Sequence, residues 1–342
     1  MADMAPAQTP ARTPAPADPR VPLSELRVVS LPEQELLDHV AARVPGFRYV
    51  LWDMVGEPAG ARADEIDVAV APYFGGPWLP ALSSASRLRL VQLQSTGFDG
   101  VPAAIGPDLA LTTAGWVHAA GTAELALGLM IAAQREIDRA VLQQHAGVYR
   151  RFSTRTLADS RVLVLGVGEI GSAVVDRLVP FEVETTRVAS RARTDERGRV
   201  HGVEELPELL ARTDVLVVAL PSSGSTDGLV DAAMLSRLPD DALVVNVGRG
   251  RVVDTAALTD EVVSGRLRCA LDVVEPEPLP AGHPLYSAPG AIITPHTGGS
   301  CTSYQPRVRR LLVEQLTRLA AGERPLFLQQ EGRVAFPPAG SA

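Results

Sequence analysis

The chain has 342 residues, 32 basic and 40 acidic, for a formal net charge of −8 and a pI near 5.4. That balance argues against a nucleic-acid or anionic-membrane partner, and no apolar run approaches the roughly 20 residues that span a bilayer. All 32 basic residues are arginine, so Schiff-base chemistry and a lysine-dependent phosphate loop are excluded.

Residues 1–22 are dense in Ala, Pro and Thr, without the basic start and apolar stretch of a signal peptide, and are expected to form a disordered tail. Short apolar runs at 26–30, 47–51, 67–71 and 90–94 are expected to be strands, with helical spacing between them at 33–44 and 79–88. An Ala/Leu-rich segment, 119–142, is expected to be one long buried helix at a domain or subunit junction. Its uncharged core is too short for a membrane span. A second strand series follows at 161–165, 183–189, 214–220, 242–247, 269–273 and 291–294, with helices expected at 170–178, 203–212, 232–238 and 255–264. Val/Leu-rich strands without polar alternation suit parallel sheets covered by helices on both faces, so the fold class is α/β with doubly wound parallel sheets. Cys269 and Cys301 are too few and too far apart for a disulfide scaffold or a zinc site, which suits a reducing, cytoplasmic setting.

After the strand that ends at Leu165 comes Gly166-Val167-Gly168-Glu169-Ile170-Gly171, opening a helix. The first glycine permits the tight turn, the second lets backbone approach a pyrophosphate, and the third allows close helix–strand packing. Strand, loop and helix in this order point to dinucleotide binding. The next strand ends in Ser190, Arg191 and Arg193 where an NAD-selective site carries a carboxylate. Guanidiniums there suit a 2′-phosphate, so NADP(H) is favoured over NAD(H). NAD(H) remains possible, with Asp195 or Glu196 contacting the ribose from the loop.

Ligands of open α/β sheets bind at the carboxyl ends of the strands. In chain order those ends carry Pro221 and Ser222; Asn246 to Gly250 with Arg249; Asp272 with Glu275 and Glu277; and Thr294 to Gly299 with His296. One arginine, one or more carboxylates and one histidine make a workable set for reducing a 2-oxo acid. The guanidinium clamps the carboxylate and polarises the carbonyl, the imidazolium gives a proton, and a carboxylate behind the ring keeps it charged. His39, His118, His145, His201 and His283 are expected to be structural or solvated. Asp272 also reads as a turn cap.

Across residues 26–328 the chain resembles the D-isomer-specific 2-hydroxyacid dehydrogenase family. The matching segments are 93–99, 122–126, the loop from Gly166 to Gly171, 220–226, 246–250, 271–279 and 294–298. The resemblance implies that Arg249 binds the substrate carboxylate and carbonyl, that His296 is the acid/base, that Glu277 rather than Glu275 backs it, and that Thr96 and Gly97 cradle the carboxylate. It places Asp272 near the nicotinamide. With the loop and the other strand ends, the expected cofactor set is Gly166, Gly168, Glu169, Ile170, Gly171, Ser190, Arg191, Pro221, Thr226, Val247, Asp272 and Gly298.

The implied architecture pairs a flavodoxin-like substrate-binding domain (23–113 plus 298–332) with an inserted Rossmann-like NAD(P)-binding domain (114–297), in a homodimer helped by the long helix. A C-terminal helix at 303–321 would return the chain to the first domain. The family's tryptophan between the long helix and the glycine loop is absent, with Tyr149 and Phe152 nearby, and Glu182 replaces a glycine before the second strand. The aromatics of loop 72–78 either shape a pocket for a side chain larger than that of glyoxylate or pack as a lid. The expected function is an NADP(H)-preferring 2-oxo acid reductase of the glyoxylate/hydroxypyruvate type, acting on a small 2-oxo or 2-hydroxy acid. A dinucleotide-sensing co-regulator of the same fold, or a dehydrogenase of a related small acid, is the alternative. The lack of lysine and the presence of Glu277 weigh against phosphite and formate dehydrogenases.

Overall fold

The computed structural model describes residues 20–73 and 78–339. In chain order, β1 (Val21–Pro22) leads to β2 (Val28–Leu31), α1 (Gln34–Ala41), β3 (Arg48–Leu51), β4 (Val68–Val70), β5 (Leu90–Gln92), α2 (Val101–Ile105) and β6 (Ala110–Thr112). Two helices follow, α3 (Ala119–Gln134) and α4 (Ile137–His145). Next come β7 (Arg161–Leu165), α5 (Glu169–Leu178), β8 (Glu184–Ala189), β9 (Arg193–Asp195), β10 (Gly198–Gly202), α6 (Leu206–Leu210) and β11 (Val215–Val218). Then α7 (Ala232–Leu235), β12 (Leu243–Asn246), α8 (Thr255–Val263), β13 (Arg268–Leu271) and β14 (Ala291–Ile293) precede α9 (Tyr304–Ala320), β15 (Leu328–Gln330) and β16 (Val334–Ala335).

Two sheets organise the chain. The first has the order β15-β6-β5-β4-β2-β3, parallel except for β15. Its parallel strands start at β2, step once to β3 and then reverse through β4, β5 and β6, which is the flavodoxin-like order. The second has the order β14-β13-β12-β11-β7-β8-β10-β9, parallel except for β9. Here the chain begins centrally at β7 and reverses direction to β11, so the switch point that admits a ligand lies between those two strands.

Period-2 side chains supply a core on each face, as strands buried on both sides require. In β11, Leu216 and Val218 pack into one cluster while Val215 and Val217 pack into the opposite one. In β4, Val68 and Val70 face one core and Ala69 the other. Helices α7 and α8 begin where Asp231 and Asp254 accept backbone N–H bonds from Met234 and Ala257.

All the strands expected from the sequence are present, and the departures have local causes. The 119–142 helix is broken: Gln134 ends α3, and Glu136 takes a left-handed φ of 47° before α4. Arg268 of β13 donates to the Ala133 carbonyl at 3.2 Å, an acceptor that a continuing helix would use, and to the Gln134 side chain at Oε1, 2.8 Å away. Against the expectation that no run is long enough, α3 and the short helix before it make a segment from Gly115 to Gln134 that is long and apolar enough by length and composition to cross a membrane. That run packs against α5, β12 and β13 as a core helix.

The 79–88 segment is only a 3₁₀ turn, Leu79–Ser84, in which the Ser83 and Ser84 hydroxyls donate to the Pro80 and Ala81 carbonyls. Helices α6 and α7 are shorter than expected. Residues 21–22 are not tail but pair with β16, whereas 1–19 lie outside the described residues. Glu182, where a glycine was the pattern, takes a φ of 57°.

Candidate active site

The carboxyl ends of β7, β11, β12, β13 and β14 open onto a cavity of about 490 Å³, closed from the other side by loops of the first sheet. Gly166, at φ 99°, follows β7; a β-carbon there would meet the Ala219 carbonyl at 2.6 Å. A β-carbon on Gly171 would stand 1.8 Å from the Gly166 carbonyl, so helix α5 packs directly on its own loop. Gly168, by contrast, has open space where a β-carbon would project, and Gly168, Glu169 and Ile170 line the cavity. Tight packing at the outer glycines and an open middle glycine at a helix N-terminus fit a dinucleotide pyrophosphate.

Beyond β8, Ser190, Arg191 and Arg193 are exposed, and among the described residues neither guanidinium makes an ion pair. The alternative carboxylate, Asp195, is occupied. Both its oxygens accept from the buried Arg187 guanidinium at 2.9 Å, and one also accepts from Arg197 N. The Arg187 bond holds the Asp195 carboxyl below the usual carboxylate range. Asp195 is thus fixed as part of the β9–β10 hairpin.

Arg249 follows β12 in a turn that Asn246 builds, donating from Nδ2 to the Arg249 carbonyl at 3.0 Å and accepting from Gly248 N at 3.0 Å. A β-carbon on Gly250 would meet the Val274 carbonyl at 2.0 Å, so the glycines flanking Arg249 let it sit against neighbouring strands. The guanidinium reaches across the cleft, where Nε donates to Asp99 Oδ2 at 2.8 Å; Nη1 donates to the Gly248 carbonyl at 2.7 Å.

His296 follows β14, with a left-handed φ of 51°. Its backbone N–H donates to the Asp272 carbonyl, and the buried Asp272 carboxylate accepts from Thr294 Oγ1 at 2.6 Å, Thr297 N at 2.8 Å and Gly298 N at 2.9 Å. Asp272 therefore clamps the histidine loop as well as lining the cavity. His296 Nδ1 lies 2.7 Å from Glu277 Oε1, whereas Glu275 turns to Arg251. Glu277 donates nothing as a carboxylate, so Nδ1 carries the proton of this bond and Nε2 is left for the cleft.

The same cavity collects Thr96, Gly97, Pro221, Val247, Arg249, Asp272 and His296. Thr226 is not in its lining; its hydroxyl donates to the Pro221 carbonyl and shapes that turn. Thr96 Oγ1 donates to the Gly115 carbonyl, which leaves backbone as the group it offers a ligand. Sequence reasoning missed Asp99, His118 and Phe327, and had raised Tyr73 only as one of the aromatics of loop 72–78. His118, expected to be structural, lines the cavity and stacks with Tyr73 and Tyr304. Of the aromatic loop, Tyr73 is in this stack, while Phe74 and the rest of 74–77 lie outside the described residues.

A dinucleotide loop, an arginine and a histidine–carboxylate pair sharing one cleft define the class of a nicotinamide-dependent oxidoreductase. The family model for the D-isomer specific 2-hydroxyacid dehydrogenase NAD binding domain matches residues 127–298, and the chain belongs to that family. Its members are NAD(P)-dependent oxidoreductases that act on CH–OH groups.

The chain is 31% identical over 258 residues to a glyoxylate reductase of Aeropyrum pernix, covering 71% of this chain and 77% of that one. It is 33% identical over 252 residues to a D-3-phosphoglycerate dehydrogenase of Mycobacterium tuberculosis, covering 71% of this chain and about half (47%) of the relative's length. A D-isomer specific 2-hydroxyacid dehydrogenase from Xanthobacter autotrophicus Py2, solved with NADPH and MES, superposes with a TM-score of 0.76 at 28% identity, covering 90% of this chain and 98% of that chain.

Proposed function

We propose that the protein is an NADP(H)-preferring 2-oxo acid reductase, a D-2-hydroxyacid dehydrogenase of the glyoxylate/hydroxypyruvate reductase type. The observation that carries this reading is the convergence of Arg249 and the His296–Glu277 pair, 2.7 Å apart, on one cleft with the glycine loop. When bound, a nicotinamide dinucleotide supplies the hydride for the C2 carbonyl. Arg249 holds the substrate carboxylate beside the Thr96–Gly97 backbone and polarises the carbonyl. His296 Nε2 gives its proton to the carbonyl oxygen, and Glu277 keeps the ring oriented for it. Hydride at carbon and proton at oxygen together yield the 2-hydroxy acid. Ser190 and Arg191 are the contacts for the 2′-phosphate, a reading supported by the engagement of Asp195 elsewhere.

We place the domain boundaries near 113 and 298, a reading supported by β2 to β6 and β15 sharing one sheet and β7 to β14 the other. On α4 and the loop after it, Leu142 is 68% exposed and Tyr149 95% exposed, with Ile137, Val141 and Val148 around them. This apolar face is the contact of a homodimer. In Leu142→Glu the mass in solution should drop to one chain; a dimer that survives it places the contact elsewhere. The exposed Cys301 thiol suits a reducing, cytoplasmic setting.

The test is oxidation of NADPH and NADH by the purified protein against glyoxylate, hydroxypyruvate, pyruvate and phenylpyruvate. Turnover faster with NADPH supports the reading. Dinucleotide binding without turnover of any acid replaces it with a sensing role.

A further inference from the structure

Arg249 is the one guanidinium among the described residues that line the cleft, and three carboxylates, Asp99, Glu169 and Asp272, share that lining. Asp272 is buried and committed to its loop, and Glu169 stands at the glycine loop. Asp99 remains beside the position of the substrate. Its side chain is 43% exposed and its Oδ2 accepts from Arg249 Nε at 2.8 Å. We propose that Asp99 is a positioning and specificity-determining residue: it holds the Arg249 fork in register and restricts the cleft to 2-oxo acids with a single negative charge.

This inference rests on the reductase reading and deepens it. With Nε anchored on Asp99 and one Nη1 hydrogen on Gly248, the fork has Nη2 and the second Nη1 hydrogen left for one carboxylate. Once that carboxylate binds, the Arg249 guanidinium faces two carboxylates, that of Asp99 and that of the substrate. A phosphate or second carboxylate elsewhere on the substrate then meets the Asp99 carboxylate with no further arginine in the described lining to pair it. The cleft therefore rejects phosphorylated acids, although some relatives of the chain are phosphoglycerate dehydrogenases.

The experiment compares kcat/KM for hydroxypyruvate and for its 3-phosphate in the wild type, Asp99→Asn and Asp99→Ala. The same discrimination is read without turnover by calorimetry of D-glycerate and D-3-phosphoglycerate on the NADPH-loaded protein. Asparagine keeps an acceptor for Nε and removes the charge, so Asp99→Asn should cut the preference for the unphosphorylated ligand about tenfold, chiefly through KM of the phosphorylated one. Asp99→Ala also loses the anchor and should lower kcat on hydroxypyruvate by about tenfold. A preference unmoved by Asp99→Asn in both measurements overturns the charge assignment and leaves the reductase reading standing. A shifted binding preference without reduction of either acid supports the assignment and overturns the reductase reading. Binding of neither ligand overturns both.

Discussion

Arg249 Nη2 occupies the space into which a side chain at position 97 would grow: a β-carbon built on Gly97 falls 1.4 Å from Nη2 and 2.7 Å from Cζ. The glycine thus leaves room for the guanidinium to lie against backbone. Gly97→Ala should push Arg249 aside and lower kcat/KM for a 2-oxo acid on the order of 10²-fold. NADPH affinity and thermal stability should stay near wild type, since neither involves this contact. Steady-state kinetics with a cofactor titration check it, and unchanged kinetics would mean that Arg249 does not act from this position.

Cofactor choice is tested at the end of β8. Arg191→Ala should weaken NADPH binding about 10- to 100-fold, the range of one lost charge-assisted hydrogen bond, and leave NADH binding unchanged. Ser190→Ala should act the same way with a smaller effect. Asp195→Asn should leave the NADPH/NADH preference unmoved, because that carboxylate belongs to Arg187. A change of preference in Asp195→Asn alone would transfer ribose recognition to the hairpin.

His118 titrates in a way that stability can report. Burial, with the Arg249 charge adding to it, holds its imidazole below the ordinary value, while Nε2 donates to the Gln94 carbonyl at 2.9 Å. Between the lowered folded value and about 6.5, the unfolded chain binds more protons than the folded one, so stability rises with pH there. The melting temperature should fall as pH drops below about 6.5, and less steeply in His118→Gln, which keeps a donor and loses the titration. Parallel profiles for the two proteins would assign the acid limb to other groups.

Much of this was legible from the residues because strand ends announce themselves. Arg249 sits between glycines after an apolar strand, and His296 follows a proline after another, so their convergence follows from sheet order. The break after Gln134 was not legible, since the Arg268 guanidinium that takes the Ala133 carbonyl at that helix end is brought to α3 only by the sheet. The β9–β10 hairpin was missed because Arg193, Thr194 and Asp195 carry no alternation of polar and apolar residues. Asp99 lay within a recognised segment but had no visible task until Arg249 was placed beside it. At Glu182 a glycine was the pattern, and the left-handed φ explains why.

Proton delivery by His296 is tested by the rate of NADPH oxidation with hydroxypyruvate for the wild type and His296→Ala at equal cofactor saturation. In His296→Ala kcat should fall on the order of 10²–10⁴-fold with NADPH affinity retained. Wild-type turnover in His296→Ala would contradict it.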